Sequence, residues 1–131
     1  MKANELMIGD WVCTEHDPTP RQIDWIRTGE VGLLWNKVVT PPYLCPIPLT
    51  PEILEKNGFE RAACGVGAII YTFSDDDEYY ALAIDEYTDS IWRVEYTNCE
   101  MHFPLVRIMV LFVHELQHAL RLCGIEKTIE L

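Results

Sequence analysis

The clearest pattern of hydrophobic and polar positions is an alternation between residues 67 and 97. Three segments, Gly67–Ser74, Glu78–Asp85 and Ile91–Thr97, place apolar residues at every second position. Because successive side chains of a strand point to opposite faces of the sheet, this period predicts a three-strand antiparallel meander with one buried face. The side chains predicted to face the core are Tyr80, Leu82, Ile84, Trp92, Val94 and Tyr96.

The first third of the chain contains shorter alternating segments. Gly9–Cys13, Arg21–Arg27 and Val31–Trp35 are predicted strands, whereas His16–Pro20 is a predicted loop. Short strands joined by brief turns indicate a small, strongly bent antiparallel sheet of SH3-like size. The tryptophans lie on apolar strand faces and are predicted core residues, and an exposed one would mark a place to look for a peptide groove. They are Trp11, Trp25, Trp35 and Trp92.

The middle of the chain combines a proline-rich segment with a short helix. Residues 40–51 contain five prolines, which cannot donate to a sheet, so an extended crossover is predicted there rather than a strand. Thr50 as N-cap and Pro51 at the first helical position predict a helix that runs to about Asn57. Gly58 is its predicted left-handed stop.

The C-terminal part is predicted to be one long helix from Pro104 to a stop at Gly124. At about 100° per residue its apolar and polar residues separate onto two faces. Ile125–Leu131 is predicted to form a short closing strand. The apolar face comprises Leu105, Met109, Phe112, Leu116, Ala119, Leu120 and Cys123, and the opposite side comprises Arg107, Leu111, His114, His118 and Arg121.

These elements together predict an α+β fold over one domain, residues 1–131. It would consist of a small SH3-like antiparallel sheet, a short helix, a three-strand antiparallel meander and a long C-terminal helix packed on the sheet. With 131 residues, 49% of them hydrophobic, the chain can bury one core.

The net charge of −11 is large for this length. Because nucleic acids and anionic membrane surfaces repel an acidic protein, direct binding to either is not expected. A basic protein partner, mimicry of a nucleic acid, or solubility would each account for the charge.

Five cysteines occur singly, with no C-x-x-C pair. Together with an N-terminus that has no apolar signal region, they predict a soluble, cytoplasmic protein with reduced thiols. A structural zinc site would draw on closely paired ligands, and these cysteines are not so spaced. They are Cys13, Cys45, Cys64, Cys99 and Cys123.

One pentapeptide matches a known chemical pattern. His114, Glu115 and His118 fit H-E-x-x-H, which on a helix places two imidazoles one turn apart to hold zinc, while the glutamate polarises the metal-bound water. This alternative assigns His114 and His118 as zinc ligands and Glu115 as the catalytic base.

Other features weigh against that zinc site. A catalytic zinc needs a third protein ligand. Glu126 and Glu130 lie too near the helix end, so the third ligand would have to come from upstream, for example His102. Arg107 and Arg121 share the predicted face with both histidines and would repel a cation. The favoured interpretation is therefore a polar helix face, with no catalytic, cofactor-binding or metal-binding residue assigned.

The remaining motifs favour structural roles. Asp75–Glu78 lacks the spaced oxygens of a calcium loop and is interpreted as a hairpin turn. Gly65–Gly67 is followed by no helix start and is not expected to bind phosphate. Cys123 lies on the predicted apolar helix face and is interpreted as a core residue.

Three segments resemble a group of small uncharacterised proteins encoded by phages and mobile elements of gut bacteria. They are Glu5–Val12, Pro46–Leu54 continued by Asn57–Phe59, and Val113–Ile125, so the resemblance covers nearly the whole chain. The closing helix of that group often reads H-Q-L-Q, which implies that the zinc pattern is a local variant here. The resemblance implies an acidic intracellular accessory protein and gives no reaction.

Three functions follow. The first is a non-enzymatic accessory or interaction protein of a phage or mobile element with a protein partner. The second is a small zinc-dependent hydrolase that uses His114, Glu115 and His118. The third is an acidic nucleic-acid mimic that inhibits a host DNA-binding enzyme.

Overall fold

A computed structural model describes residues 1–35, 37–64, 68–73, 80–88, 90–98 and 103–131. The chain divides into two compact units. The N-terminal unit comprises Met1–Pro48 and Phe112–His114, and the C-terminal unit comprises Leu49–Leu111 and Glu115–Leu131. Each unit contains one five-stranded antiparallel sheet, and the described residues are mostly β with two α-helices. That the whole chain is one domain stays a prediction.

The sheet of the N-terminal unit has the order β4-β3-β2-β1-β5. The predicted antiparallel sheet is therefore present, while its likeness to an SH3 domain stays a prediction. Its strands are β1 (Trp11–Thr14), β2 (Asp17–Arg27), β3 (Glu30–Leu33), β4 (Lys37–Val39) and β5 (Leu44–Pro46). Its buried core consists of Leu6, Val12, Ile23, Val31, Leu33 and Leu44.

Two predictions about proline-containing segments were wrong in this unit. Most of the predicted loop His16–Pro20 belongs to β2, whose pairing with β3 begins only at Ile23, so the prolines at 18 and 20 interrupt no ladder with β3. Leu44–Pro46, predicted as an extended crossover, forms β5 at the edge of the sheet. An edge strand tolerates a proline because one side of its backbone needs no partner.

The sheet of the C-terminal unit has the order β10-β9-β8-β7-β6. The three meander strands are confirmed as β7, β8 and β9, and one further strand lies on each side of them. Of the predicted core residues, Leu82, Ile84, Trp92 and Val94 are buried, Tyr96 is half-buried, and the side chain of Tyr80 lies outside the described residues. The elements are α1 (Pro51–Lys56), β6 (Glu60–Cys64), β7 (Ala68–Phe73), β8 (Tyr80–Thr88), β9 (Ile91–Asn98), β10 (Phe103–Val110) and α2 (Val113–Leu122).

The predicted long helix was wrong over its first half. Residues 103–110 form β10, which pairs with β9 from Phe103↔Asn98 to Val110↔Trp92, and α2 has only 10 residues. The β-branched residues at 106, 108 and 110 alternate as in a strand. This preference prevailed over the helical spacing of the apolar residues on which the prediction was based. As a result Leu105 and Met109, predicted core residues, are 48% and 44% exposed. Pro104 fits because β10 is an edge strand with a register shift beside it.

The remaining part of that helical prediction holds. Leu116, Ala119 and Leu120 are buried, Phe112 and Cys123 are half-buried, and Gly124 follows α2 with φ +73°. The glycine therefore adopts the left-handed conformation that the prediction required.

Helix α1 matches its prediction closely. The Thr50 hydroxyl accepts the Ile53 N–H at 3.4 Å, Pro51 is the first helical residue, and Gly58 has φ +78°. The helix is therefore bounded by its own local residues.

The predicted closing strand at 125–131 was wrong, since this segment contains neither strand nor helix. It is held instead by the Asn57 side chain, whose amide donates to the Glu130 carbonyl and accepts the Glu130 N–H, both at 2.8 Å. Ile129, next to Glu130, is completely buried. Two hydrogen bonds to one side-chain amide thus hold this segment where strand pairing was predicted.

Candidate functional site

His114 is the second residue of α2 and is only 5% exposed. Its imidazole stacks on the Phe112 ring, with centroids 5.9 Å apart and an angle of 13° between the planes. The prediction of a polar helix face was therefore wrong at this residue. Gln117, also on α2, is buried as well, at 7% exposure, so the buried side of this helix is wider than its apolar residues indicate.

Glu115 is the third residue of α2, and its carboxylate accepts the Leu111 N–H at 2.6 Å. The first N–H groups of a helix and those just before it lack helical partners, and a glutamate in the first turn can reach back to one of them. A negative charge there also complements the helix dipole. The sequence signal for this role is a glutamate three residues into a helix, and it was missed because the helix start was placed at Pro104.

His118 lies in a shallow groove of about 270 Å³ within the C-terminal unit. Apolar side chains form most of the lining, and Glu115 is the other titratable group in it. Its remaining lining residues are Ile108, Met109, Ala119 and Leu122.

No group of three or more His, Cys, Asp or Glu side chains that could hold a metal ion occurs among the residues that the structure describes. His102, the proposed third ligand, lies outside those residues, as do Asp75–Glu78 and Gly65–Gly67. Zinc binding by His114 and His118 with Glu115 as base therefore stays a prediction.

The expected repulsion of a zinc ion by Arg107 assumed that this residue lies on the same helix as the two histidines, which was wrong. Arg107 lies on β10 rather than on a helix, and its guanidinium pairs with the Glu95 carboxylate at 2.8 Å. Arg121 is on α2 and is exposed.

The four tryptophans have different environments. Trp92 is 3% exposed and its indole N–H donates to the Leu49 carbonyl at 3.1 Å, so its predicted core position is confirmed. Trp11 and Trp25 are half-buried. Trp35 is 75% exposed, so its predicted core position was wrong.

Trp25 covers a glycine on the neighbouring strand. Gly32 lies directly opposite Trp25, and a Cβ atom at Gly32 would overlap the indole ring. The Arg27 guanidinium lies over the Trp25 ring, 4.3 Å from its centroid. The glycine therefore provides the space in which this tryptophan rests.

Trp35 has φ +76°, a left-handed conformation that bulky residues rarely adopt. It lies in the turn that follows β3, and the next strand begins at Lys37. Two further large apolar side chains are exposed nearby in the sequence, Val38 at 56% and Tyr43 at 53%. Residues 35–43 thus carry three large apolar side chains that face solvent.

A cavity of about 360 Å³ opens beside β4 in the N-terminal unit. Asp17 lies near it and accepts from Lys37 at 3.3 Å and from Arg21 at 3.2 Å. Hydrogen bonds from Thr19, then from Lys37 and Arg21, hold the pKa of Asp17 well below its ordinary value. The cavity is lined by Thr14, His16, Lys37, Val38, Val39, Thr40 and Tyr43.

A second cavity, of about 310 Å³, lies in the C-terminal unit. Its wall includes Tyr71 and Trp92, whose rings meet edge to face with centroids 6.1 Å apart. Burial raises the pKa of Tyr71, and the nearby Glu55 raises it further. The other lining residues are Pro51, Glu52, Glu55, Arg61, Ile69 and Glu86.

Comparisons of the chain with protein-family models, with curated proteins and with solved structures found no match. Among the described residues, no helix has the length and apolar character needed to span a membrane.

Proposed function

We propose that this chain is a non-enzymatic interaction protein that binds a protein partner through residues 35–43 of its N-terminal unit. The observation that carries the proposal is the exposure of Trp35, Val38 and Tyr43 within nine residues. When a partner covers an exposed aromatic side chain, the burial stabilises the complex. Aromatic residues are accordingly enriched at the centres of protein interfaces.

The backbone of Trp35 supports this choice. A bulky residue at φ +76° is strained, and strained residues persist mainly where the surrounding structure and a function require them. In this position the indole is held in solvent, where it contributes little to the free protein. Presentation to a partner accounts for both the strain and the exposure.

The cavity beside β4 adds a place for a partner side chain. Val38 and Tyr43 line it together with Val39, and its volume of about 360 Å³ is in the range of small-ligand pockets. A peptide side chain that enters this cavity would contact Val38 and Tyr43.

The charge of the chain indicates the kind of partner. At a net charge of −11 the protein attracts basic molecules over several ångströms and repels acidic ones. We infer a basic protein partner whose apolar side chains cover Trp35. The resemblance described above is the reason that we propose such an accessory role in a phage or mobile element.

A photo-crosslinking amino acid at position 35 tests the proposal in the cell that expresses the protein. The matched control is position 122 in the C-terminal unit, because Leu122 is also strongly exposed, at 68%. We expect one crosslinked protein from position 35 and none of that mass from position 122. Binding of the identified partner should then weaken at least tenfold in Trp35→Ala. Equal crosslinking from both positions would contradict the proposal.

The other two functions stay predictions. A zinc hydrolase would require the Glu115 carboxylate to leave the Leu111 N–H that it binds at 2.6 Å, and His114 to reach a metal from a buried position. A nucleic-acid mimic would require carboxylates spaced like phosphates along one surface.

A further inference from the structure

Two cysteines that are far apart in the sequence lie opposite each other in the N-terminal sheet. Cys13 on β1 pairs in register with Cys45 on β5, between the pairs Val12↔Pro46 and Thr14↔Leu44. Both are free thiols and both are half-buried. The Cys13 thiol donates to the Cys45 carbonyl at 3.5 Å. The sequence does not reveal this pair, because only the register of β1 and β5 brings it together.

The backbone spacing suits a disulfide. The Glu15 N–H donates to the Tyr43 carbonyl at 3.1 Å, while the Tyr43 N–H donates to the Thr40 carbonyl. The single bond from Glu15 marks this position of the ladder as the hydrogen-bonded type. Pair types alternate along antiparallel strands, so Cys13 and Cys45, two residues further on, again occupy a hydrogen-bonded pair. Such pairs have Cα atoms about 5.5 Å apart, within the range of about 4.4–6.8 Å found in disulfides. Their side chains also point to the same side of the sheet.

Pro46 provides an independent check of this assignment. It lies opposite Val12, one position from the cysteine pair, where the alternation predicts a pair without mutual hydrogen bonds. A residue that has no N–H fits that position and would not fit the next one.

We propose that Cys13 and Cys45 form a reversible intramolecular disulfide when the protein meets a low-molecular-weight disulfide such as oxidised glutathione. The thiolate of one cysteine attacks a sulfur of oxidised glutathione, breaks its S–S bond and releases one reduced glutathione. The thiolate of the other cysteine then attacks the protein sulfur of this mixed disulfide and releases the second glutathione. The two protein thiols lose two electrons and two protons, and oxidised glutathione gains them.

The surroundings of the pair make the first exchange step slow. Burial raises the pKa of the Cys13 thiol, and the neighbouring Cys45 raises it further. Little thiolate is therefore present on Cys13 at neutral pH, so its attack on oxidised glutathione is slow. The second step is fast by comparison, because the partner sulfur is already on the opposite strand.

Tryptic peptide mapping under non-reducing conditions tests the proposal with the unmodified chain. Trypsin cleaves after Lys and Arg, so Cys13 falls alone in peptide 3–21 and Cys45 alone in peptide 38–56. After equilibration with oxidised glutathione, we expect these two peptides linked to each other, with the intact protein lighter by two hydrogens for this bond. Reduced glutathione should reverse the link.

The Cys13→Ser variant is the matched control. It leaves Cys45 without its opposite thiol, so we expect a mixed disulfide with glutathione on peptide 38–56 instead of a link. The oxidised parent should also unfold at a higher temperature than its reduced form, since the bond restricts the unfolded chain, whereas the oxidised control should show no increase. The proposal is overturned if each cysteine of the parent carries its own glutathione, if either links to another cysteine, or if both remain reduced where the control reacts.

Discussion

In both α1 and α2 a side-chain oxygen accepts a backbone N–H near the start of the helix. The two helices differ in whether that oxygen comes before the N–H in the sequence or after it. In α1 the oxygen precedes the helix, since Thr50 accepts the Ile53 N–H. In α2 the oxygen lies inside the helix, since Glu115 accepts the Leu111 N–H. The first arrangement needs only neighbouring residues, whereas the second works only if another interaction has already ended the preceding strand.

That other interaction comes from residues 47–49. The Leu111 carbonyl accepts the Leu49 N–H at 3.0 Å, and the Val113 N–H donates to the Ile47 carbonyl at 2.9 Å. These bonds connect residues more than 60 positions apart and hold the chain where β10 ends and α2 begins. The start of α1 is therefore a local property, and the start of α2 is a tertiary one.

The largest expected effect separates two leucines that helical spacing would place on one face. Leu116 on α2 is completely buried, whereas Leu105 on β10 is 48% exposed. We expect Leu116→Ala to lower the free energy of unfolding by about 2–5 kcal/mol through lost burial and a cavity. Leu105→Ala should cost less than about 1 kcal/mol. Urea denaturation of both variants measures this, and equal losses would contradict the exposed position of Leu105.

The next effect concerns Asn57, which follows α1 and holds the C-terminal segment. We expect Asn57→Ala to cost about 1–3 kcal/mol, because it removes two bonds to Glu130 and one to the Ile53 carbonyl and leaves the partly buried N–H and carbonyl of Glu130 without this partner. Asn4→Ala, at an exposed asparagine, is the control and should be nearly neutral. Hydrogen exchange at the Glu130 amide should rise in the first variant alone. An unchanged exchange rate would show that Asn57 does not hold the C-terminal segment.

A smaller effect compares the two caps directly. Thr50→Ala should cost about 1 kcal/mol, the usual loss for a threonine N-cap. Glu115→Ala should cost a similar amount, since it frees the Leu111 N–H at an exposed position. The double variant measures whether the two caps are coupled, because Thr50 follows Leu49, whose N–H binds the carbonyl of the same Leu111 that Glu115 caps. A Glu115 variant as stable as the parent would mean that the carboxylate does not cap α2.

How much of the fold the sequence reveals depends on this difference between local and tertiary causes. The strands β7–β9 and helix α1 are predictable because period-two alternation, a threonine N-cap and a stopping glycine act within a few residues. Strand β10 is not, because residues 103–110 carry apolar residues at spacings that suit a helix as well as a strand. Pairing with β9 decides between the two, and no local signal in β10 specifies that partner.

The candidate sites follow the same rule. The H-E-x-x-H pattern is visible in the sequence because it is local, yet the burial of His114 and the bond from Glu115 to Leu111 depend on where α2 starts. Trp35 shows the alternation of a core strand, and only the end of β3 at Leu33 releases it into solvent. The pairing of Cys13 with Cys45 follows from strand register and has no signal in the sequence.

The last prediction is that the protein binds no zinc. It decides whether Glu115 at the start of α2 caps the helix or serves a metal site. His114 and His118 are four residues apart, so their rings could in principle meet one ion, but two imidazoles make an incomplete zinc site. If Glu115 serves as a cap, its carboxylate is engaged by the Leu111 N–H and is not available to polarise a metal-bound water. We therefore expect no stoichiometric zinc in protein purified without added metal, and no change in melting temperature with a chelator. The control is His16→Ala, outside α2, measured beside His118→Ala. One zinc per chain that is lost in His118→Ala and kept in His16→Ala would contradict the accessory-protein proposal, and the zinc hydrolase would then be the better hypothesis.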